Sequence, residues 1–337
     1  MLNWFLLTTV LGFQTLPKPH AIWQITFDVS QALVTPQGET VLFDGATVYR
    51  YDASGTLQNT ATLAFAPARI YLDPEGRVLV HDGDQLLGLL NQENGLVWQR
   101  KFPPADLPPI HFQKFLAYPV GKKVWVLDAS SSWAKYSLER DQPITALGRY
   151  NDDLLIADRQ GRLLQWDPLT GRRLWLRSKG KAPVQYLTVA GNQSIALATA
   201  EGELEILDDK RKTKWRRQFH IDIASPPLWF DLAEGGQWVL ATHGRHFYAF
   251  AGRGKQIADH LLPNRPMVLT EFGPALALLL SYQSPQLFWY DVEKRQFQTE
   301  TLSTYQSLVV DQASCFLMVG ADGRIRLYLK PSKAVGD

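Results

Sequence analysis

The stretch DLLIADRQGRLLQWDPLTGRRLWLR, residues 153–177, decides the fold class of this chain. It contains three short segments rich in Leu, Ile and Trp, at residues 153–158, 162–166 and 172–177. Each segment has the length and composition of a β-strand. Both intervening turns contain glycine, which adopts the positive φ that tight turns require. The stretch therefore predicts three consecutive antiparallel strands.

The same pattern recurs along the whole chain. Turns with glycine, or with serine in one unit, follow one another at steps of 38 to 42 residues. Units of about 40 residues are typical of a β-propeller blade, in which four strands form one sheet. The repeat therefore predicts eight blades. The turn positions are Gly45, Gly83, Gly121, Gly161, Gly202, Gly244, Ser284 and Gly323.

Two further markers follow the turn. In five units an aspartate comes six or seven residues later, where it is expected to end the third strand and to cap backbone N–H groups of the next turn. In four units a tryptophan follows on the predicted outermost strand. The aspartates are Asp52, Asp128, Asp167, Asp208 and Asp291, and the tryptophans are Trp98, Trp133, Trp175 and Trp215.

The two ends of the chain complement each other. The last unit lacks a fourth strand, whereas residues 21–27 form a strand without a unit of its own. This strand is similar to the outer strands at 96–102 and 214–219, so we expect it to complete the last blade and remove its open edge. The fold class predicted is all-β, an eight-bladed β-propeller of four-stranded antiparallel blades closed by an N-terminal strand. Seven blades is the main alternative, because the first strand of the third unit, near 109–113, is short; a β-sandwich pair or a β-helix fits the repeat less well.

The domain boundaries follow from this repeat. Residues 21–330 are one propeller domain and residues 331–337 a polar tail. Residues 4–13, WFLLTTVLGF, have the length of a signal-peptide core and are too short to span a bilayer. A cleaved signal at 1–20 predicts a periplasmic or secreted protein. However, no Lys or Arg precedes the run and no clean A-x-A cleavage site follows it. The alternative is that these residues pack on the domain or that the start codon is misassigned. In either case we expect a cytoplasmic protein.

Composition excludes several classes of function. The net charge of +2 does not predict a nucleic-acid binder. The single cysteine, Cys315, allows no intrachain disulfide and no cysteine-rich metal site, and its apolar neighbours predict a buried side chain. The chain has no G-x-S-x-G, Walker or C-x-x-C motif, and no run outside the first residues is long enough for a transmembrane helix. We therefore expect no catalysis, no cofactor and no metal.

One cluster of basic residues lies on the predicted outer strands of the fourth and fifth units. Charges on an exposed edge strand discourage pairing with another chain, which is one interpretation. The other is a docking surface for an acidic partner or an anionic membrane, with Trp215 as an aromatic anchor. This basic outer-strand patch consists of Arg172, Arg173, Lys210, Arg211, Lys212, Lys214, Trp215, Arg216 and Arg217.

A second candidate surface is the face formed by the linkers between units and by the glycine hairpins. Loops on a rigid scaffold commonly carry binding residues, so partner proteins are expected there. The candidate partner-binding residues are Arg69, His111, His220, Trp229, His243 and Arg265.

Residues 166–180, WDPLTGRRLWLRSKG, resemble the PQQ-like propeller repeat, and residues 90–98, LNQENGLVW, are a looser match. One branch of that family, the quinone-dependent dehydrogenases, has a vicinal cysteine pair that this chain lacks. The chain is more similar to the non-enzymatic branch, which includes the propeller subunit of the bacterial outer-membrane protein assembly machine, although residues 1–20 contain no lipid-bearing cysteine.

This resemblance implies a monomeric, non-catalytic scaffold or adaptor that binds other proteins in the bacterial cell envelope. The alternative function is a propeller that binds a quinone or another small ligand in its central channel, as an enzyme or a sensor. The predicted innermost strands at 144–147 and 187–189 are mostly apolar, which disfavours that alternative.

Overall fold

A computed structural model shows how the repeat is arranged in space. It describes residues 17–329 except 74, 129, 132, 178–179, 181, 234, 274–275, 282–283, 305 and 313–314. The apolar run at 4–13 and the polar tail at 331–337 lie outside the described residues, so the signal and tail assignments stay predictions. In the described range no helix has the length and hydropathy needed to cross a membrane.

The described residues form eight four-stranded antiparallel sheets, each a blade of the propeller. Within a blade, successive strands run from the central channel to the rim. The strands of blades 1 to 4 are β2 (Gln31–Val34), β3 (Thr40–Asp44), β4 (Thr47–Tyr51) and β5 (Leu57–Thr62); β6 (Arg69–Leu72), β7 (Val78–His81), β8 (Leu86–Leu90) and β9 (Leu96–Lys101); β10 (Ile110–Phe112), β11 (Phe115–Val120), β12 (Lys123–Asp128) and β13 (Trp133–Glu139); and β14 (Ile144–Tyr150), β15 (Asp153–Asp158), β16 (Leu163–Trp166) and β17 (Arg173–Arg177).

Blades 5 to 7 follow the same order, and blade 8 combines the two ends of the chain. Their strands are β18 (Val184–Val189), β19 (Ile195–Thr199), β20 (Glu203–Leu207) and β21 (Thr213–Gln218); β22 (Leu228–Phe230), β23 (Gln237–Ala241), β24 (His246–Ala251) and β25 (Gln256–Leu261); β26 (Pro266–Glu271), β27 (Leu276–Ser281), β28 (Gln286–Asp291) and β29 (Gln296–Thr301); and β30 (Gln306–Gln312), β31 (Cys315–Gly320), β32 (Arg324–Leu329) and β1 (Ala21–Gln24).

The eight-bladed prediction is confirmed and the seven-bladed alternative is wrong. The doubtful first strand of the third unit exists as β10, with only three residues. It pairs with β11 through Ile110 opposite Ala117, and its sheet has four strands like the others. A strand of three residues has too little alternation of apolar and polar residues to be predicted clearly from the sequence.

The hydrophobic core lies between neighbouring blades. The second strand of blade 4, β15, is buried along its whole length, because its two faces pack against different blades. Leu155 and Ala157 on one face pack with Ile195 and Leu197 of blade 5. The outermost strands are mostly exposed, as in β21. Burial therefore decreases from the middle strands to the outermost strand of a blade. This difference explains why the middle strands are apolar and the outer strands carry charged residues.

The aspartates of the repeat cap turns, as predicted. In blade 4 the Asp167 carboxylate accepts a hydrogen bond from the backbone N–H of Leu169 at 2.9 Å. A hydrogen bond from the Thr170 hydroxyl lowers the pKa of the Asp167 carboxyl. Equivalent backbone N–H groups donate to Asp52, Asp128, Asp208 and Asp291.

The hairpin glycines differ in what they contribute. Gly161 has a φ of 68°, and a Cβ atom there would lie 2.3 Å from the carbonyl oxygen of Ala182. In blade 6 the left-handed residue is Arg245, with a φ of 67°, rather than Gly244. Gly244 lies against Ile221 instead: a Cβ atom at Gly244 would lie 2.4 Å from the Cδ1 atom of that exposed side chain, which would have to shift.

A buried ion cluster joins blades 3 and 4 where the chain passes between them. Asp158 is fully buried and accepts hydrogen bonds from Arg140 at 2.6 Å and from Arg162 at 2.7 Å. Arg162 also pairs with Asp141. The guanidinium of Arg140 lies 4.4 Å from the centre of the Trp175 ring. The cluster therefore fixes the linker to the hairpin of blade 4 and to its outer strand.

The N-terminal strand closes the ring. Strand β1 pairs with β32 in antiparallel register, with Trp23 opposite Ile325. On the side of blade 1, the Trp23 ring lies 5.8 Å from the ring of Tyr51 and occupies the space beside Gly55. The predicted closure of the last blade is thus confirmed, and β1 contacts the first blade as well.

We expect Asp158→Ala to lower the free energy of unfolding by about 3 to 5 kcal/mol, because it leaves the buried Arg140 guanidinium without its counter-ion. Urea unfolding followed by circular dichroism measures the change. Asp152→Ala is the control: this carboxylate is exposed and lies 4.0 Å from Arg149, so its loss should cost less than about 1 kcal/mol. Equal effects of the two substitutions would contradict this account of the cluster.

Trp23→Ala should destabilise the protein by about 2 kcal/mol, since a half-buried indole is removed from the contact between blades 8 and 1. Ile22 lies next to it on the same strand and is 56% exposed, so Ile22→Ala should change stability by less than about 0.5 kcal/mol. Thermal unfolding of both variants provides the comparison. Equal losses of stability in the two variants would show that the Trp23 contact is not what holds β1 in place.

Candidate docking surface

The basic outer-strand patch centres on β21, the rim strand of blade 5. Five of the six residues in this strand are exposed. The preceding turn is held by Asp208, whose carboxylate accepts the backbone N–H of Lys212 at 2.8 Å. The turn therefore presents Lys210 and Lys212 to solvent, and β21 continues with Lys214.

A buried carboxylate lies beneath the patch. Glu205 of β20 is 2% exposed and pairs with Arg216 at 2.6 Å and with Arg177 of blade 4 at 3.0 Å. It also accepts a hydrogen bond from the Thr213 hydroxyl. The Glu205 carboxylate raises the pKa of the Arg216 guanidinium above its ordinary value. Glu205 belongs to none of the motifs of the sequence, although a carboxylate inside the apolar strand ELEIL is a signal for a buried ion pair.

Trp215, the expected aromatic anchor, packs against the neighbouring blade. Trp215 is half-buried, and its indole N–H donates to the carbonyl oxygen of Gly252 in blade 6 at 3.2 Å. The ring lies 5.6 Å from that of Phe250 and covers Gly254, where a side chain would clash. Trp215 is therefore committed to packing between blades 5 and 6.

The cations of the patch divide into two groups. Arg172 and Arg216 lie in ion pairs, with Asp153 at 3.1 Å and with Glu205. Arg211 is half-buried and lies 5.3 Å from the centre of the Tyr150 ring. The remaining cations are exposed and have no ion pair with a carboxylate among the described residues: Arg173, Lys210, Lys212, Lys214 and Arg217.

The linker-and-hairpin face contains four of the six candidate partner-binding residues. Arg69 begins β6 of blade 2. The other three lie on the opposite side of the ring, around blade 6: His220 in the linker before it, His243 in its hairpin, and Arg265 in the linker after it. The structure therefore brings His220, His243 and Arg265 to one part of the face and leaves Arg69 across the channel.

His111 and Trp229 are the central residues of three-residue strands, and both contact the face opposite the linkers, contrary to the predicted placement. His111 is one residue from the β10–β11 turn and its Nε2 atom contacts the carbonyl oxygen of Leu72 at 3.1 Å. Trp229 is one residue from the end of β22 and is only 9% exposed. The first strand of each blade runs from the linker face to the opposite face, and both strands are so short that a central residue already approaches the opposite face.

The two candidate surfaces meet in a groove of about 390 Å³ between blades 5 and 6. Its lining includes Arg217 of the basic outer-strand patch and His220 of the candidate partner-binding residues. His246, Tyr248 and Asp259 line it as well. His246 contacts Asp259 at 2.7 Å and stacks on Tyr248 with an interplanar angle of 11°. In the part of the chain that the structure describes, no three His, Cys, Asp or Glu side chains form a group that can hold a metal.

Two curated proteins show partial sequence similarity to this chain. A segment of 123 residues is 29% identical to the outer membrane protein assembly factor BamB of Nitrosomonas eutropha and covers 36% of this chain and 29% of that protein. A segment of 135 residues is 33% identical to BamB of Bordetella pertussis and covers 40% and 31%. The chain is similar to BamB. Each match spans less than a third of the length of the relative, and no family model matches.

Solved structures agree in fold. BamB from Moraxella catarrhalis superposes with a TM-score of 0.68 at 13% identity, covering 91% of this chain and 99% of that chain. The designed protein Ika8 gives 0.70 at 10% identity, covering 93% and 99%, and Sqt1 of Saccharomyces cerevisiae gives 0.70 at 11%, covering 94% and 100%. At these identities the superpositions show the fold alone. Together with the sequence matches, they confirm the resemblance to BamB that the repeat predicted.

We expect Glu205→Gln to lower the free energy of unfolding by about 2 kcal/mol, because the amide replaces a charged partner of two arginines. Glu201→Gln, at an exposed turn position of the same blade, should change it by less than about 0.5 kcal/mol. Urea unfolding of both variants measures the difference. If Glu205→Gln is as stable as Glu201→Gln, the carboxylate does not hold β21 in place.

Proposed function

We propose that this chain is a non-catalytic protein-interaction scaffold of the bacterial cell envelope and that it docks an acidic partner protein on the outer strands of blades 4 and 5. The observation that carries the proposal is the set of five exposed cations on these strands and on the turn before β21, which have no ion pair within the described residues: Arg173, Lys210, Lys212, Lys214 and Arg217. The envelope location is inferred from the similarity to two outer membrane protein assembly factors.

The arrangement of charge favours docking through side chains. A β-bulge between Ile206 and Leu207 breaks the register of β20 and β21, and the cations add repulsion against a basic edge. Both features disfavour the addition of a strand from another chain. An acidic surface can still approach the exposed ammonium and guanidinium groups, which accelerates its association. Edge protection and partner docking are thus compatible uses of the same cations.

A rigid ring suits this function. Glu205 holds Arg216 and Arg177, and Trp215 fastens the strand to blade 6, so the cations are presented on a fixed backbone. Less side-chain and backbone ordering is then needed when a partner binds, which favours affinity. The groove that Arg217 and His220 share extends this surface towards the linker face.

The test is capture of partners by the tagged chain from the envelope fraction of its own cells after chemical crosslinking. Wild-type protein should recover outer-membrane assembly proteins, and Arg173→Glu/Arg217→Glu should recover about tenfold less of them, as expected when two rim contacts change from attraction to repulsion. Lys101→Glu/Lys122→Glu, which alters two exposed lysines of blades 2 and 3 by the same total charge, should capture as much as wild type.

Equal recovery with both charge-reversal variants would refute docking on this patch. Recovery of the wild-type chain in the cytoplasmic fraction, without reproducible partners, would refute the envelope location and the scaffold function together.

A further inference from the structure

A cavity lies on the face opposite the linkers. It has a volume of about 930 Å³ and is bounded by turns between the first and second strands and between the third and fourth strands of blades 5 to 7. Both turns of blade 6 contribute, through residues 231–233, 235–236, 251–253 and 255, and blade 7 supplies Glu293 and Arg295. This volume falls in the range of ligand-binding pockets.

The cavity has an excess of positive charge. Four cations line it, Lys214, Arg253, Lys255 and Arg295, and all four are exposed. None of them has an ion pair with a carboxylate among the described residues, although acidic residues do line the cavity too. Of these, Asp231 already accepts the indole N–H of Trp229 at 2.7 Å. The cations are therefore available to a ligand that carries several negative charges.

A buried acceptor at the cavity wall has no donor. Gln237 begins β23 and is 5% exposed, and its Oε1 atom has no hydrogen-bond partner among the described residues. Burying a carbonyl oxygen without a donor costs about 1–3 kcal/mol, so the site is expected to gain from a ligand with an N–H group. This observation is independent of the cations.

Glycines shape the floor of the cavity around Trp229. A Cβ atom on Gly236 would lie 1.7 Å from the Trp229 ring, and one on Gly252 would lie 3.2 Å from it. The ring also packs on Trp238, with centroids 5.1 Å apart. Packing therefore holds the Trp229 ring in place, and the ring can contact a ligand in the cavity without changing its conformation.

We infer that this cavity binds an acidic, extended peptide segment of a partner protein. Such a segment supplies carboxylates that can pair with the four cations and backbone N–H groups that can donate to Gln237. A free anion that carries no N–H or O–H group, such as sulfate, would satisfy the cations but would leave the buried amide oxygen without a donor. The inference rests on the proposed scaffold function and adds a second binding surface, on the opposite face from the linker groove.

The experiment uses the full chain and a short fluorescein-labelled peptide of alternating glycine and glutamate, with binding followed by fluorescence polarisation at about 150 mM salt, where the Debye length is about 8 Å. Arg253→Ala/Lys255→Ala should weaken binding at least about tenfold. Gln237→Met, which keeps the side-chain volume but removes the acceptor, should weaken it by about three- to tenfold. Lys101→Ala/Lys122→Ala, remote from the cavity, should bind as wild type does.

Several results would overturn the inference: no binding by wild type, unchanged affinity in both cavity variants, equal binding of a glycine–glutamine peptide, or displacement of the peptide by inorganic phosphate at matched ionic strength. Thermal unfolding of each variant establishes that it is folded.

The patch variant Arg173→Glu/Arg217→Glu separates the two proposals. If it loses partner capture but binds the peptide, both surfaces stand; if it keeps partner capture while the cavity variants lose the peptide, only the patch proposal fails.

Discussion

The pairing of β1 with β32 is the constraint on which the structure depends. Blade 8 receives three strands from the end of the chain, and its fourth strand comes from residues 21–24. Ala21 and Trp23 of this strand pack against the core between blades 8 and 1, so loss of β1 would expose part of that core. Trp23 shows how the two ends are joined, since it lies beside Tyr51 and Gly55 of blade 1.

A closed ring explains why binding surfaces lie at its turns and rim. The inner strands are occupied by the packing between blades, and their side chains have little freedom to reach a partner. Polar and charged residues therefore collect on the outermost strands and in the turns of both faces. The basic outer-strand patch and the cavity of blades 5 to 7 share Lys214, which lies where the rim meets that face. Both surfaces are thus concentrated on one half of the ring.

Much of the fold was predictable from the sequence, because the turns, the capping aspartates and the rim tryptophans recur with one period. The eight blades followed from the spacing, and the role of residues 21–27 from the missing fourth strand of the last unit and the similarity to other outer strands. The sites were less predictable, since a site depends on which residues of distant units meet. Gln237 and Glu205 carry no motif, and their importance comes from burial. His111 and Trp229 were assigned to the wrong face, because strands as short as β10 and β22 leave the position of a residue along the strand undetermined by pattern.

The most direct measurement of the central claim is amide hydrogen exchange of the purified chain, read out by mass spectrometry for the peptides that contain residues 20–25 and 323–329. If β1 closes the ring, the N–H groups of His20 and Ile25, which donate to Leu327 and Gly323, should exchange as slowly as those of the inner blade strands. Rapid exchange of the N-terminal peptide, with the other blades still protected, would show that the ring is open at blade 8 and would contradict the account.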